Sequence, residues 1–416
     1  MAFYSDSNVK TRILDPKIYV PNARCTFELD ASEAAYLPNL RLANIGTTSA
    51  ANDYNTLLGS AALIRSIRLL DGKQELSALN AAQFYRGFQN INNTNSENNA
   101  VQSNLACNSL GLSILGTDRE IDRVAVTYGS NTTTANTNSA FIDLKQMLPF
   151  LNAMSHLPTA VFQNLRLEVE FAANPADQIL ADTANALTTL RPILIVDVLE
   201  NPKVVNALNK SLNAVAWSEV EHDQFVIPQS ANDGGGPDQG ITQNTNVKLN
   251  GFNNKILDRL LIVKEISDPA KELAGGTTVQ GYGKYASQAC YNQKLQLRIN
   301  GSNIFPRQGI VGNNERLGYI VDTWGDCSAF PGSNVYGMDT GPIMQNGDRH
   351  RGQADYMGAY IGQSIQDLQV EYSRVGLTDG GLKKATTSTL IAHCYGEVRK
   401  TWQLIGNGQY NIAYAQ

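Results

Sequence analysis

Two stretches of this chain, roughly two hundred residues apart, run through the same series of landmarks, which points to two stacked copies of one β-fold. A short alternating segment opens each, CTFELD at 25–30 and DQFVIPQ at 223–229. A longer apolar stretch follows at 36–46 and 255–266, then a strand running into an Asp-Gly or Asn-Gly step at 63–72 and 293–301. The series closes with QNLRLEVEF at 163–171 against IQDLQVEYS at 365–373, each followed by one more apolar strand, at 191–200 and 388–398. A period this long marks a duplicated domain rather than a solenoid.

The landmarks are predicted as strands because their apolar residues recur at period two. Leu165, Leu167, Val169 and Phe171 share one face, with Arg166, Glu168 and Glu170 on the other. Leu295, Leu297 and Ile299 repeat this with Gln296 and Arg298 expected to face out, as do Leu368, Val370 and Tyr372. A slip of one residue would bury the charges. Few identities support the repeat, so the evidence lies in the order of the landmarks. The first copy is the longer, and the Asn/Thr/Ser-rich runs at 89–99 and 130–139 read as its extra loops.

Two helices are expected. Residues 201–217 read as a helical linker, with Pro202 in the first turn and Val204, Leu208 and Leu212 in one stripe. Residues 75–91, with Leu79, Ala82 and Phe88 among good helix formers, read as a second. Residues 230–245 are too rich in Gly, Asn and Asp to be anything but a loop. The expected organisation is an N-terminal arm at 1–20, a first unit at 21–201, a linker at 202–217, a second unit at 218–403 and a tail at 404–416.

A net charge of −5 without a basic block argues against direct nucleic-acid binding, which rests on Lys and Arg at phosphates. No apolar run reaches the ~18 residues of a membrane span, and the opening residues lack a signal-peptide core, so a soluble chain made in the cytosol is expected. Cys25, Cys107, Cys290, Cys327 and Cys394 form no CxxC pair and are expected reduced and mostly buried. The Asn-x-Ser/Thr triplets at Asn92, Asn131, Asn209 and Asn300 are then read as chance matches.

No constellation rises to a catalytic, cofactor or metal site. His156, His222, His350 and His393 are isolated in sequence, and neither half has the His-x-His pattern of a bicupin, the main enzymatic alternative for a duplicated β-barrel. His393 and Cys394 are neighbours on a strand, so they are expected to point to opposite faces and not to act as base and nucleophile. Gly234–Gly236 precede Pro237 and Asp238 rather than the Lys-Ser/Thr of a P-loop. The Asp348, Arg349, His350, Arg351 cluster reads as a solvated loop or subunit contact, and Trp217, Trp324 and Trp402 as core or interface anchors.

Two tandem eight-stranded antiparallel units without catalytic residues resemble the double jelly-roll major capsid proteins of the lineage shared by adenoviruses, membrane-containing phages, virophages and polinton-like viruses. The resemblance spans about 21–403. It is carried by FIDLKQMLPFLNAMSHLPTAVFQNLRLEVEFAAN at 141–174, by LIRSIRLLDG leading into a helix, and by WSEVEHDQFVIPQ at the start of the second unit. It implies an all-β double jelly roll that is not an enzyme. Its product would be a homotrimer of pseudo-hexagonal outline that tiles the icosahedral shell of a double-stranded DNA virus. The loops at 89–139, 230–245 and 267–285 would form outer towers or subunit contacts. Implied partners are neighbouring capsomers, penton and minor capsid or cement proteins, and an internal membrane near the N-terminal arm. A penton or spike protein that binds a receptor is the non-enzymatic alternative.

Overall fold

The structure, a computed structural model, describes residues 9–46, 63–93, 140–172, 189–228, 242–266, 294–306, 309–311, 318–319, 322–324, 357–375, 390–406 and 408–415. The first half comprises β1 (Val9–Leu14), β2 (Ile18–Val20), β3 (Arg24–Glu28), β4 (Ala35–Tyr36), β5 (Arg41–Ile45), β6 (Ile64–Asp71), β7 (Gln74–Asn80), α1 (Ala82–Asn93), β8 (Ala140–Asp143), α2 (Pro149–Ala153), β9 (Leu157–Pro158), β10 (Leu165–Phe171) and β11 (Ile193–Leu199). After α3 (Pro202–Asn209) the second half comprises β12 (Ala214–Ile227), β13 (Thr242–Lys248), β14 (Lys255–Ile266), β15 (Lys294–Ile299), β16 (Ser302–Asn303), β17 (Ile310–Val311), β18 (Met357–Ile365), β19 (Leu368–Val375), β20 (Leu390–Gly406) and β21 (Gln409–Tyr414).

Both halves are wired alike. In the first, β11 is flanked by β1 on one side and by β4 and β5 on the other, which in turn pair with β9 and β8. The facing sheet runs β2-β3-β10-β6-β7. In the second, the sheets run β12-β20-β14-β18 and β13-β19-β15-β16, with β21 added to β20 and β17 to β15. With β2, β17 and β21 set aside as additions to β3, β15 and β20, β4 and β5 taken as one strand position, and β8 and β9 as another, each half places its first, eighth, third and sixth strands in one sheet. Its second, seventh, fourth and fifth form the other. That is the wiring of an eight-stranded jelly roll, so the chain is an all-β double jelly roll.

Alternation sets the core as expected: Leu165, Leu167, Val169 and Phe171 of β10 and Leu368, Val370 and Tyr372 of β19 are all buried. The Asn-Gly step after β15 is a two-residue hairpin with Asn300 at φ 50° and Gly301 at φ 85°, the two positive φ values that a type I′ turn requires. The buried side chains of both units join in one continuous cluster, so the two jelly rolls share a core.

Several expectations are corrected. Three of the four opening landmarks and the closing strand fall on equivalent strands. The first does not, because 25–28 belongs to β3, the second strand position of its unit, whereas 223–227 is the far half of the 14-residue β12, a first strand. The expected arm at 1–20 contains β1 and β2, with β1 paired to β11 along its length. The second unit extends past 218–403 on both sides, and residues 409–414 of the expected tail form β21. Of the expected helix at 75–91, residues 75–80 lie in strand β7 and only the part from Ala82 onward is helical. The linker helix stops at Asn209, and its buried residue is Val205 rather than Val204. Gln296 is buried rather than solvent-facing, with its amide spanning the Phe305 carbonyl at 3.0 Å and the Phe305 N–H at 3.0 Å.

Candidate functional site

The main construction outside the two barrels is the seam between them. β7 ends at Asn80, and Ala81, at φ 48°, turns the chain into α1. Tyr395 of β20 fixes that corner by donating its hydroxyl to the Ala81 carbonyl at 2.7 Å. Along α1, Phe84 stacks on His393 with ring centroids 4.4 Å apart, Tyr85 packs on Tyr395 at 5.1 Å, and Phe88 meets Trp324 edge-on at 5.2 Å. A helix of the first unit thus lies on the outward face of the second unit's β12-β20-β14 sheet. Further along, α2 presents Phe150 to Trp217 at 5.1 Å, and Phe162 packs against Trp402 and Tyr410. Tyr410 also donates to Asp71 at 2.9 Å, tying β21 to the end of β6. Each aromatic pair contributes about 0.5–1.5 kcal/mol beyond the area it buries, so the seam behaves as part of the core.

Charged groups enclosed there are shifted by burial. Glu219 of β12 accepts from Ser77 of β7 at 2.8 Å and from the Trp217 indole N–H at 2.8 Å. Burial raises its pKa from 4.5 to about 7, against the opposing pull of the Lys400 ammonium. Three strands supply a buried polar chain: His222 meets His393 at 3.0 Å, and His393 meets Glu265 at 2.8 Å. Burial, followed by the His393 charge, lowers the His222 pKa from 6.5 to about 3. His393 thus sits between the two, with Nδ1 facing His222 Nε2 and Nε2 facing the Glu265 carboxylate. Glu221 gathers Lys255, Lys400 and Tyr414, with both ammonium groups over the Tyr414 ring at 4.5 and 4.7 Å. Burial opposes ionisation of Glu221, yet those donors hold its pKa below the usual carboxylate value. This cluster clamps β21 onto the sheet.

The structure brings together two of the histidines that the sequence leaves apart, His222 and His393. It seats His156 separately between Ser155 and Asn209, at 2.9 and 2.7 Å. His393 and Cys394 point to opposite faces as alternation requires, with the Cys394 thiol fully buried in the barrel and its pKa raised by that burial. Burial likewise pushes the Cys25 thiol up to about 12. Trp217 and Trp402 are buried at the seam and Trp324 packs there, the anchor role expected of them. Among the described residues, no three His, Cys, Asp or Glu side chains converge in a metal-binding group. Cys107, Cys290, Cys327, Gly234–Gly236, the 348–351 cluster and most of the expected tower loops lie outside the described residues.

No protein-family model matches the sequence, and no curated protein does. Solved structures match the fold end to end. PBCV-1 VP54, fitted into a cryo-EM reconstruction of the virophage Sputnik, is similar at TM-score 0.61 and 11% identity, over 99% of this chain and 98% of that one. The mavirus major capsid protein is similar at TM-score 0.57 and 9% identity, over 97% and 90% of the two chains. The Faustovirus major capsid protein gives TM-score 0.55 and 8% identity, over 96% and 90%. At these identities the likeness is one of fold, and it takes in both jelly rolls together.

Proposed function

We propose that this chain is a major capsid protein, a structural subunit of the icosahedral shell of a double-stranded DNA virus. The observation that carries this reading is the end-to-end likeness to viral major capsid proteins. It covers 96–99% of the chain in the structures named above and takes in both jelly rolls together. The shared core supports it as well. Two like-wired barrels held rigidly side by side give a subunit that occupies two equivalent positions of a hexagonal lattice. Three such chains would supply six barrels, so one homotrimer fills a pseudo-hexagonal tile. In this reading the chain's work is assembly rather than catalysis, and it acts in the virion shell. Its partners are further copies of itself, the proteins that fill the fivefold positions, and those that cement neighbouring tiles.

The test is the mass of the purified full chain by light scattering. The reading expects a stable species of three times 45.2 kDa. A monomer at every concentration accessible to the measurement contradicts it.

A further inference from the structure

Away from the seam, the outward face of the first unit's β2-β3-β10-β6-β7 sheet holds a cavity of about 570 Å³ over β3, β10 and β6. That volume falls within the roughly 300–1,000 Å³ of small-molecule sites. Its floor is polar, because alternation turns Thr26 and Ser66 outward and both are nonetheless buried.

Strand register supplies most of the walls. Glu170 of β10 lies opposite Arg24 of β3 and Ser66 of β6, and Glu168 lies opposite Thr26 and Arg68. A β-bulge adds one more group. The β10–β6 register shifts between Glu170 and Phe171, so Arg65 is the extra residue, and it reaches Glu170 at 3.5 Å on the same face as Ser66. Ser66 donates to Glu170 at 2.9 Å, and Arg68 pairs with Glu168 at 3.1 Å. Arg24 is left over, since its guanidinium has no hydrogen-bond or ion-pair partner among the described residues. Three guanidinium groups against two carboxylates leave the cavity one positive charge.

The rim is fixed in advance. Asn22, at φ 60°, donates its N–H to Thr189 Oγ1 at 2.9 Å and accepts from the Thr189 N–H at 2.8 Å. Jelly-roll wiring alone does not require this set. With Leu165 and Leu368 aligned, the second unit's matching sheet has Asn244 opposite Ser373 where the first has Arg24 opposite Glu170, and its β19–β15 register runs without a shift.

We propose that this cavity binds an acidic saccharide, a sugar carrying one carboxylate or sulfate group. Arg24 and Arg65 donate to the anion as charge-assisted forks, and the sugar hydroxyls donate to Glu168 and Glu170 and accept from Thr26. A single negative charge matches the cavity. A phosphate monoester, with a charge of about two, meets repulsion from both carboxylates. An apolar ligand would leave these polar groups without partners.

The experiment titrates the purified full-length chain with sialyllactose, lactose bearing one sulfate, neutral lactose and inorganic sulfate, by saturation-transfer NMR and calorimetry. Arg24→Ala and Arg65→Ala are the variants, and Arg298→Ala, on the matching sheet of the second unit, is the control. Circular dichroism checks that each is folded. At least one acidic sugar is expected to bind the wild type and the control with a Kd of about 1 mM or tighter. Lactose and sulfate bind about tenfold or more weakly than that sugar, and each arginine variant loses about tenfold or more in affinity for it. Which acidic sugar binds identifies the anion as carboxylate or sulfate. The proposal is overturned if neither acidic sugar binds, if lactose or sulfate alone binds as tightly, or if both arginine variants keep wild-type affinity. Should one variant fail to fold, the other decides. The capsid reading stands or falls separately, on the mass of the assembly.

Discussion

Glu219 is a carboxyl group that the fold keeps partly protonated near neutral pH. Its folded pKa of about 7 lies above the ordinary 4.5, so between those values the folded chain holds more protons than the unfolded one. Its contribution therefore weakens as pH rises through that window, by on the order of 3 kcal/mol in full. His222 acts in the opposite sense. Its folded pKa is lowered from 6.5 to about 3, so the folded chain holds fewer protons across that range and stability rises with pH until about 6.5. The two slopes overlap between pH 4.5 and 6.5 and offset each other. We predict that the thermal midpoint of Glu219→Gln climbs with pH over this range, by a few degrees. Gln keeps an acceptor for Trp217 and a donor for Ser77 while removing the titration. His222→Asn leaves the midpoint falling between pH 4.5 and 7. Unaltered slopes in both variants would contradict the assignment. None of this was legible in the sequence, because His222 and His393 are 171 residues apart and only the β12–β20 pairing makes them neighbours.

α1 is the element on which the seam turns. Phe84 is 1% exposed and sits on a ring of the other unit, so Phe84→Ala both opens a cavity and removes a cross-unit contact. A loss of about 3–5 kcal/mol is expected in denaturant unfolding. If the seam is the weaker boundary, the two halves also cease to unfold in one transition. A loss below about 1 kcal/mol would mean that α1 does not hold the units together. At this scale the strands are legible in the sequence, since a period-two pattern with one wet face admits a single register. Where sequence and structure differ, the causes are physical. Glu75, Leu76, Ser77, Ala78 and Leu79 are acceptable in a helix by propensity, but the residues immediately after the Asp71–Gly72 turn pair back onto β6, and sheet pairing outweighs propensity. The second unit begins before 218 because β12 runs for 14 residues from Ala214, and its first residues, Ala214 to Trp217, are continuous in sequence with the apolar residues of the linker. Gln296 fits an outward position by polarity, and its burial depends on a backbone segment at Phe305 that closes over it.

For the whole molecule, duplication was visible in the order of landmarks even though the identities had faded, because burial pattern constrains a strand more than residue identity does. The seam was not visible, since its residues come from both halves and nothing local distinguishes a core aromatic from an interface one. The most direct measurement is negative-stain imaging of the purified assembly with its class averages analysed for rotational symmetry. The account predicts six lobes of near-equal size arranged with threefold symmetry, two lobes to a chain. Two-lobed particles, or rings with any other number of lobes, would contradict it.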